Sequence, residues 1–153
     1  MDDAYEKALN YLSIKDRSQK QITAYLIKCG FNDTQISECI DKLQEYNFLN
    51  DRVYAHNLMY KLKNKDYSLA MAEAYLKKEG IEDCSIEEVL RLLGDEYEIK
   101  SLNNFLLKEL KDKKINYALI NKVKSKAIRN GFRTYYLEDA LIDAAHKLTE
   151  ENL

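Results

Sequence analysis

The stretch Leu26-Ile27-Lys28-Cys29-Gly30-Phe31-Asn32-Asp33 recurs as Leu76-Lys77-Lys78-Glu79-Gly80-Ile81-Glu82-Asp83, and again as Ala127-Ile128-Arg129-Asn130-Gly131-Phe132-Arg133-Thr134. Fifty residues separate the first two glycines and fifty-one the last two. The register extends in both directions. Eight residues before the glycines stand Ile22, Ala72 and Val123, and four before stand Leu26, Leu76 and Ala127. Phe31, Ile81 and Phe132 follow directly. Further on come Ile36, Ile86 and Leu137, then Ile40, Leu90 and Leu141, then Leu43, Leu93 and Ala144. Every column is apolar. A single L-x-x-x-G-φ ending, with φ an apolar residue, is common; three in register mark an internal repeat.

Each copy reads as helix–Gly–helix–turn–helix. Ile22, Tyr25 and Leu26 have helical spacing, and the glycine suits the left-handed position that closes a helix. Ser18 with Gln21 forms an S-x-x-Q capping box, and Ser68 holds the same offset in the second copy. Asn32 caps the second helix, which carries Ile36, Ile40 and Leu43 on one stripe. Leu49 and Ile99 open the third, with Asn50 as the first one's cap and Val53, Leu58 and Leu62 as its apolar side chains. A lead helix over 3–13, with Ala4, Ala8, Leu9, Tyr11 and Leu12, covers the open end of copy one. The expected organisation is all-α. A lead helix (1–14) precedes repeats at 15–64, 65–112 and 113–153, the last without room for a full third helix. Such small units must share contacts, which predicts an elongated, curved array.

Composition agrees. The 153 residues contain no proline and four glycines, too few for the turns of an antiparallel β protein. No apolar run reaches the ~18 residues of a membrane span, and no secretory signal opens the chain, so a cytoplasmic protein is expected. Cys29, Cys39 and Cys84 are odd in number and lack a C-x-x-C pair, which predicts buried free thiols rather than disulfides or a zinc site. His56 and His146 have no metal-ligand or triad setting, and no phosphate loop or nucleophile motif occurs. A non-enzymatic binding protein follows, with no catalytic residue, cofactor or metal.

Charge is segregated although the net is only −2. Residues 79–98 hold eight acidic residues against Arg91; residues 100–133 hold ten basic residues against Glu109 and Asp112. Lys122, Lys126 and Arg129 fall at i, i+4 and i+7, away from Leu119, Ile120, Val123 and Ala127. With Arg133, Lys113 and Lys114, and with Lys61, Lys63 and Lys65 between the first two repeats, they are the candidate partner-binding residues. The tyrosines, among them Tyr25, Tyr75, Tyr117, Tyr135 and Tyr136, read chiefly as packing residues; the last three also lie where bases could stack on them.

Residues 8–62 resemble the first repeat of the RecX regulators of bacterial recombination. The elements that carry the likeness are Ala8 and Leu12, Arg17-Ser18, Leu26, Gly30-Phe31, Ile36, Leu43, Leu49-Asn50-Asp51 and Tyr54-Ala55. Lys61, Lys63 and Lys65 with Leu76–Ile81 match the second repeat, and Arg129–Phe132 the third. The Gly-Pro often found before the second repeat's first helix is replaced by Asp66-Tyr67. Many relatives are strongly basic, and many carry a further N-terminal β-rich segment, so the resemblance implies a short form or an excised domain. It also implies a monomeric modulator of RecA. Such a protein lies along or caps the RecA–single-stranded-DNA filament and reduces ATP hydrolysis and strand exchange. Direct DNA binding by helix-turn-helix-like units, or a general helical scaffold, are the rival readings.

Overall fold

The three glycine turns close their helices with one hydrogen-bond scheme. Phe31 N–H reaches Leu26 O at 3.2 Å and Gly30 N–H reaches Ile27 O at 3.0 Å. Ile81 and Gly80 repeat this on Leu76 and Lys77, and Phe132 and Gly131 on Ala127 and Ile128. This is the Schellman closure. It explains why the columns four before and one after the glycine are apolar: they flank the 6→1 bond and touch across it. The glycines take φ of 91°, 80° and 85°.

The computed structural model describes residues 3–151 as eight helices, with no strand among them. These are α1 (Asp3–Ile14), α2 (Gln19–Lys28), α3 (Asp33–Glu45), α4 (Asp51–Leu62), α5 (Leu69–Lys78), α6 (Asp83–Leu110), α7 (Tyr117–Arg129) and α8 (Thr134–Glu151). The caps follow the sequence. Ser18 and Asn32 form reciprocal boxes with Gln21 and Gln35, and Asn50 accepts the Val53 N–H at 3.2 Å. Ser68 caps α5 by accepting the Met71 N–H at 3.1 Å.

The fourth glycine corrects the second repeat. Gly94, at φ 66° and ψ −174°, breaks α6 into two helical halves. There a single non-helical residue separates the halves, whereas α3 ends at Glu45 and residues 46–50, with Asn47 at φ 59°, lead on to α4. Ile99 therefore lies inside a helix that resumes at Asp95 and does not open one. Val53 is also not a core residue: it is 54% exposed, while Leu58 and Leu62 are buried.

Burial shows which helices belong together. Ala4, Ala8, Ile22, Leu26, Ile36, Cys39, Ile40, Leu43 and Leu49 form one cluster from α1, α2, α3 and the connection after α3. Leu102, Leu106, Leu110, Val123, Ala127, Phe132, Leu137, Ala140, Leu141 and Ala144 form another from the second half of α6, α7 and α8. The sequence repeat starts at α2 and leaves α1 extra and the last copy short. Burial groups α1 with α2 and α3, and the second half of α6 with α7 and α8, one place earlier than the sequence repeat. The chain forms two compact units, Met1–Leu58 with Tyr75–Val89 and Met59–Ala74 with Leu90–Leu153, so α4, α5 and α6 each contribute to both.

The cysteines are free, but only Cys39 is buried. Cys29 sits at the solvent end of α2 and Cys84 in the first turn of α6, both exposed.

Candidate partner-binding surface

Asn116, unremarked in the sequence, starts α7 by accepting the Leu119 N–H at 2.9 Å. Val123 and Ala127 are buried in the α6–α7–α8 cluster, and that fixes which way α7 faces. Lys122, Lys126 and Arg129 consequently share its exposed face. Lys122 and Arg129 have no ionic partner among the described residues. Lys126 donates to Glu109 at 2.5 Å and lies 5.9 Å from the centre of the Phe105 ring. Lys113 and Lys114 are exposed in the connection before α7.

Arg133 differs from this group. Its guanidinium binds Asp95 at 2.6 Å and also donates to Glu98, whose side chain is buried and accepts the Leu69 N–H at 3.1 Å. The hydrogen bonds that Arg133 donates to Asp95 and then to Glu98 push its pKa up, and Arg133 holds Asp95 below the usual carboxylate range. Arg133 thus serves the fold, and its pairs neutralise part of the charge contrast between 79–98 and 100–133.

Lys61, Lys63 and Lys65 lie at the end of α4 and in the turn after it, in the same compact unit as α7. The Lys63 ammonium is 5.1 Å from the Tyr60 ring centre and that of Lys65 is 5.4 Å from Tyr67. The turn is held in place from behind. Tyr97 Oη lies 2.7 Å from Leu62 O and 2.9 Å from Lys65 O, and Asp66 binds Lys108 at 2.7 Å and Asn104 at 3.0 Å.

Two aromatics depart from the packing expectation. Tyr117 is 83% and Tyr135 85% exposed. The helical period contained this signal: Tyr135 lies two residues before buried Leu137, roughly the opposite side of α8. Tyr136 is half-buried with its hydroxyl 3.3 Å from Asp95. Tyr25 does pack, stacked at 4.0 Å on Tyr11, whose ring the Arg17 guanidinium also approaches at 3.9 Å. Among the described residues no three His, Cys, Asp or Glu side chains gather to hold a metal ion, and no helix is long and apolar enough to cross a membrane.

A family model described as the first three-helix domain of RecX matches residues 4–43, the span of α1 to α3. The regulatory protein RecX of Caldanaerobacter subterraneus is 31% identical over 140 residues, covering 91% of this chain and 69% of that protein. The chain belongs to the RecX family. It spans 57% of the regulatory protein RecX of Streptococcus mutans, at 31% identity over 150 residues, and 57% of that of Bacillus pumilus, at 30%. The crystal structure of RecX from Lactobacillus salivarius aligns over 95% of this chain and 94% of its own, with a TM-score of 0.78 and 26% identity. A second regulatory protein RecX, 20% identical, shares the fold at a TM-score of 0.79. RecX relatives are named as regulatory proteins. The match to α1–α3 uses the same helix grouping that burial gives.

Proposed function

We propose that this RecX chain regulates RecA without catalysing a reaction itself, lying along or capping the RecA–single-stranded-DNA filament and reducing its ATPase and strand exchange. The observation that carries this is the exposed basic face of α7, where Lys122 and Arg129 have no internal ionic partner, in a family of regulatory proteins. Lys113 and Lys114 extend that face toward its N-terminal end, and the Lys61–Lys65 turn is a second contact. Arg133 is not part of the contact. Its charge is satisfied within the fold. The partner offers acidic side chains or DNA phosphate, and either attracts a cationic row at long range.

The test is co-sedimentation with RecA filaments preassembled on single-stranded DNA, together with inhibition of DNA-dependent ATP hydrolysis. A variant with Lys122→Glu, Lys126→Glu and Arg129→Glu should bind at least about tenfold more weakly. Its melting temperature should stay close to wild type, because exposed charges contribute about 0–1 kcal/mol per pair. Salt should weaken the wild type more than the variant. Undiminished inhibition by the variant removes α7 from the contact. Direct binding to single-stranded DNA is a second reading, favoured by the exposure of Tyr117 and Tyr135. Equal binding to naked DNA and to filaments would select it.

A further inference from the structure

Arg17, in the connection between α1 and α2, has no acidic partner. Its Nε is shielded from solvent and meets no hydrogen-bond acceptor among the described residues. A ring holds it instead. The guanidinium carbon lies 3.9 Å from the centre of Tyr11, which is stacked on Tyr25 at 4.0 Å. A ring face fixes a guanidinium and leaves its in-plane N–H groups to donate elsewhere. Carboxylates of the same compact unit are engaged by other donors. Glu79 accepts from Tyr54 Oη at 3.0 Å and from Gln21 Nε2 at 3.2 Å, and Asp51 accepts from Gln19 N–H at 2.8 Å. A buried N–H without an acceptor costs stability. The repeat does not require it: the same column, thirteen residues before the glycine, holds Tyr67 and Ala118 in the other copies.

Arg17 lines a cavity of about 220 Å³ that lies wholly within residues 1–58. Leu12, Phe48 and Val53 form its apolar walls, and Asn50 and Asn57 bring amides to it. Phe48 and Val53 are each 54% exposed, so the walls open to solvent. Asn50 uses its oxygen on the Val53 N–H, which leaves its NH2 to donate. Asp16 is the acidic member of the lining and is itself exposed. Small-molecule pockets begin at ~300 Å³; this smaller space suits one or two side chains.

We infer that the cavity is a docking site for a protein segment in which a Glu or Asp side chain stands next to an apolar one. The carboxylate takes the Arg17 N–H groups, whose planar fork matches it in shape, with the Asn50 and Asn57 amides as further donors. The apolar neighbour covers Phe48 and Val53. Two observations choose this occupant over a phosphate-bearing one. A free phosphate would leave the apolar walls uncovered. The compact unit around the cavity carries nine Lys/Arg against fourteen Asp/Glu, which repels a nucleic-acid strand but tolerates a single carboxylate. None of these residues belongs to the α7 surface, so the site stands or falls apart from the RecA reading.

The blocked dipeptides acetyl-Leu-Glu-amide and acetyl-Glu-Leu-amide, titrated into the whole isotope-labelled chain and followed by NMR, test this. At least one should saturably shift the Arg17 Nε–Hε signal together with the backbone signals of Phe48, Val53 and Asn57. The same peptides with Gln in place of Glu should bind at least about tenfold more weakly, the loss of a charge-assisted hydrogen bond. Arg17→Lys keeps the charge without the fork and should weaken binding about fivefold. Phe48→Ala and Asn57→Asp, both at exposed positions, should weaken it as much with the melting temperature unchanged, one by removing a wall and the other by repelling the carboxylate. Failure of both peptides to move the Arg17 signal would overturn the proposal. Equal binding of the Glu and Gln forms would overturn it by leaving Arg17 out of the contact. Saturation of the same signals by inorganic phosphate or by oligothymidylate at lower concentration than the peptides would overturn it in favour of a phosphate site.

Discussion

The unit made of residues 1–58 and 75–89 carries nine Lys/Arg against fourteen Asp/Glu; the unit made of 59–74 and 90–153 carries fifteen against twelve. The two are built from the same repeat, with the same glycine turns, yet they differ in charge. The difference separates what the fold needs from what a partner reads. The repeat fixes apolar columns, caps and glycines. The surface columns are free, and in the second unit they have become lysine and arginine on α7 and in the turn after α4. The eight proposed contact residues that remain once Arg133 is set aside all lie in that unit.

The largest contrast expected lies among the glycines. Placing an L residue at positive φ costs ~1–2 kcal/mol wherever it is done. At Gly131 and Gly80 the added methyl also meets Ala70 Cβ or Ser18 Oγ at under 3 Å, whereas at Gly30 it meets nothing. Overpacking of that kind costs ~1–3 kcal/mol. Gly131→Ala and Gly80→Ala should therefore lose ~2–5 kcal/mol in chemical denaturation, and Gly30→Ala only the ~1–2 kcal/mol backbone part. Equal losses at all three would mean that these close approaches contribute nothing.

The second contrast sets two arginines side by side. Arg52 donates both to Glu88 Oε1 at 3.0 Å and Oε2 at 3.2 Å, but it is 70% exposed. Arg133 satisfies Glu98, which is 1% exposed. Removing one partner of an ion pair costs most where the other stays buried. Arg133→Met should lose ~1–3 kcal/mol, reduced from the fully buried case because Arg133 is itself partly solvated, and Arg52→Met markedly less. Glu98→Gln in the Arg133→Met background should recover part of the loss, since the amide oxygen still accepts the Leu69 N–H. No recovery would show that Glu98 is not the cause.

The repeat, the all-helical class and the caps Ser18, Asn32 and Asn50 were legible because each depends on local chemistry: apolar spacing, a side chain that reaches its own backbone, a glycine that permits φ > 0. The grouping of helices was not. A tandem repeat has the same period wherever counting begins, and only burial shows that α1 belongs with α2 and α3. Gly94 is not a repeat column: Gln44 and Ala145 stand at its place in the other copies, and Leu93 just before it continues the apolar stripe, so the break had no counterpart to reveal it. Arg133 looked like its neighbours Lys126 and Arg129. What distinguishes it is Glu98, thirty-five residues away in sequence and buried by the fold. The exposure of Tyr117 and Tyr135 was readable from helical phase against Val123 and Leu137, but residue type outweighed phase and pointed to packing.

The smallest contrast is in acid. In the second unit, hydrogen bonds from Arg133 lower the pKa of Asp95. Burial pushes Asp66 up, but the hydrogen bonds from Lys108 and Asn104 outweigh it and the net shift is downward. A carboxyl group whose folded pKa is depressed stabilises the fold above its unfolded value of ~4 and loses that contribution as pH falls through the folded value. In the first unit Asp51 moves the other way: burial raises it, the Gln19 N–H only partly opposing and Glu82 adding to the rise. A raised group costs stability once ionised and returns it as pH falls through the folded value. From pH 6 to pH 3 the second unit should therefore weaken relative to the first. Thermal melts followed residue by residue in NMR spectra should show Leu106 and Leu137 signals lost at progressively lower temperature than those of Leu26 and Leu43. Asp95→Asn should shrink the gap, because its share is then absent at every pH. A gap that stays constant down to pH 3 would show that these carboxylates do not set the difference, and that the two units share one acid response.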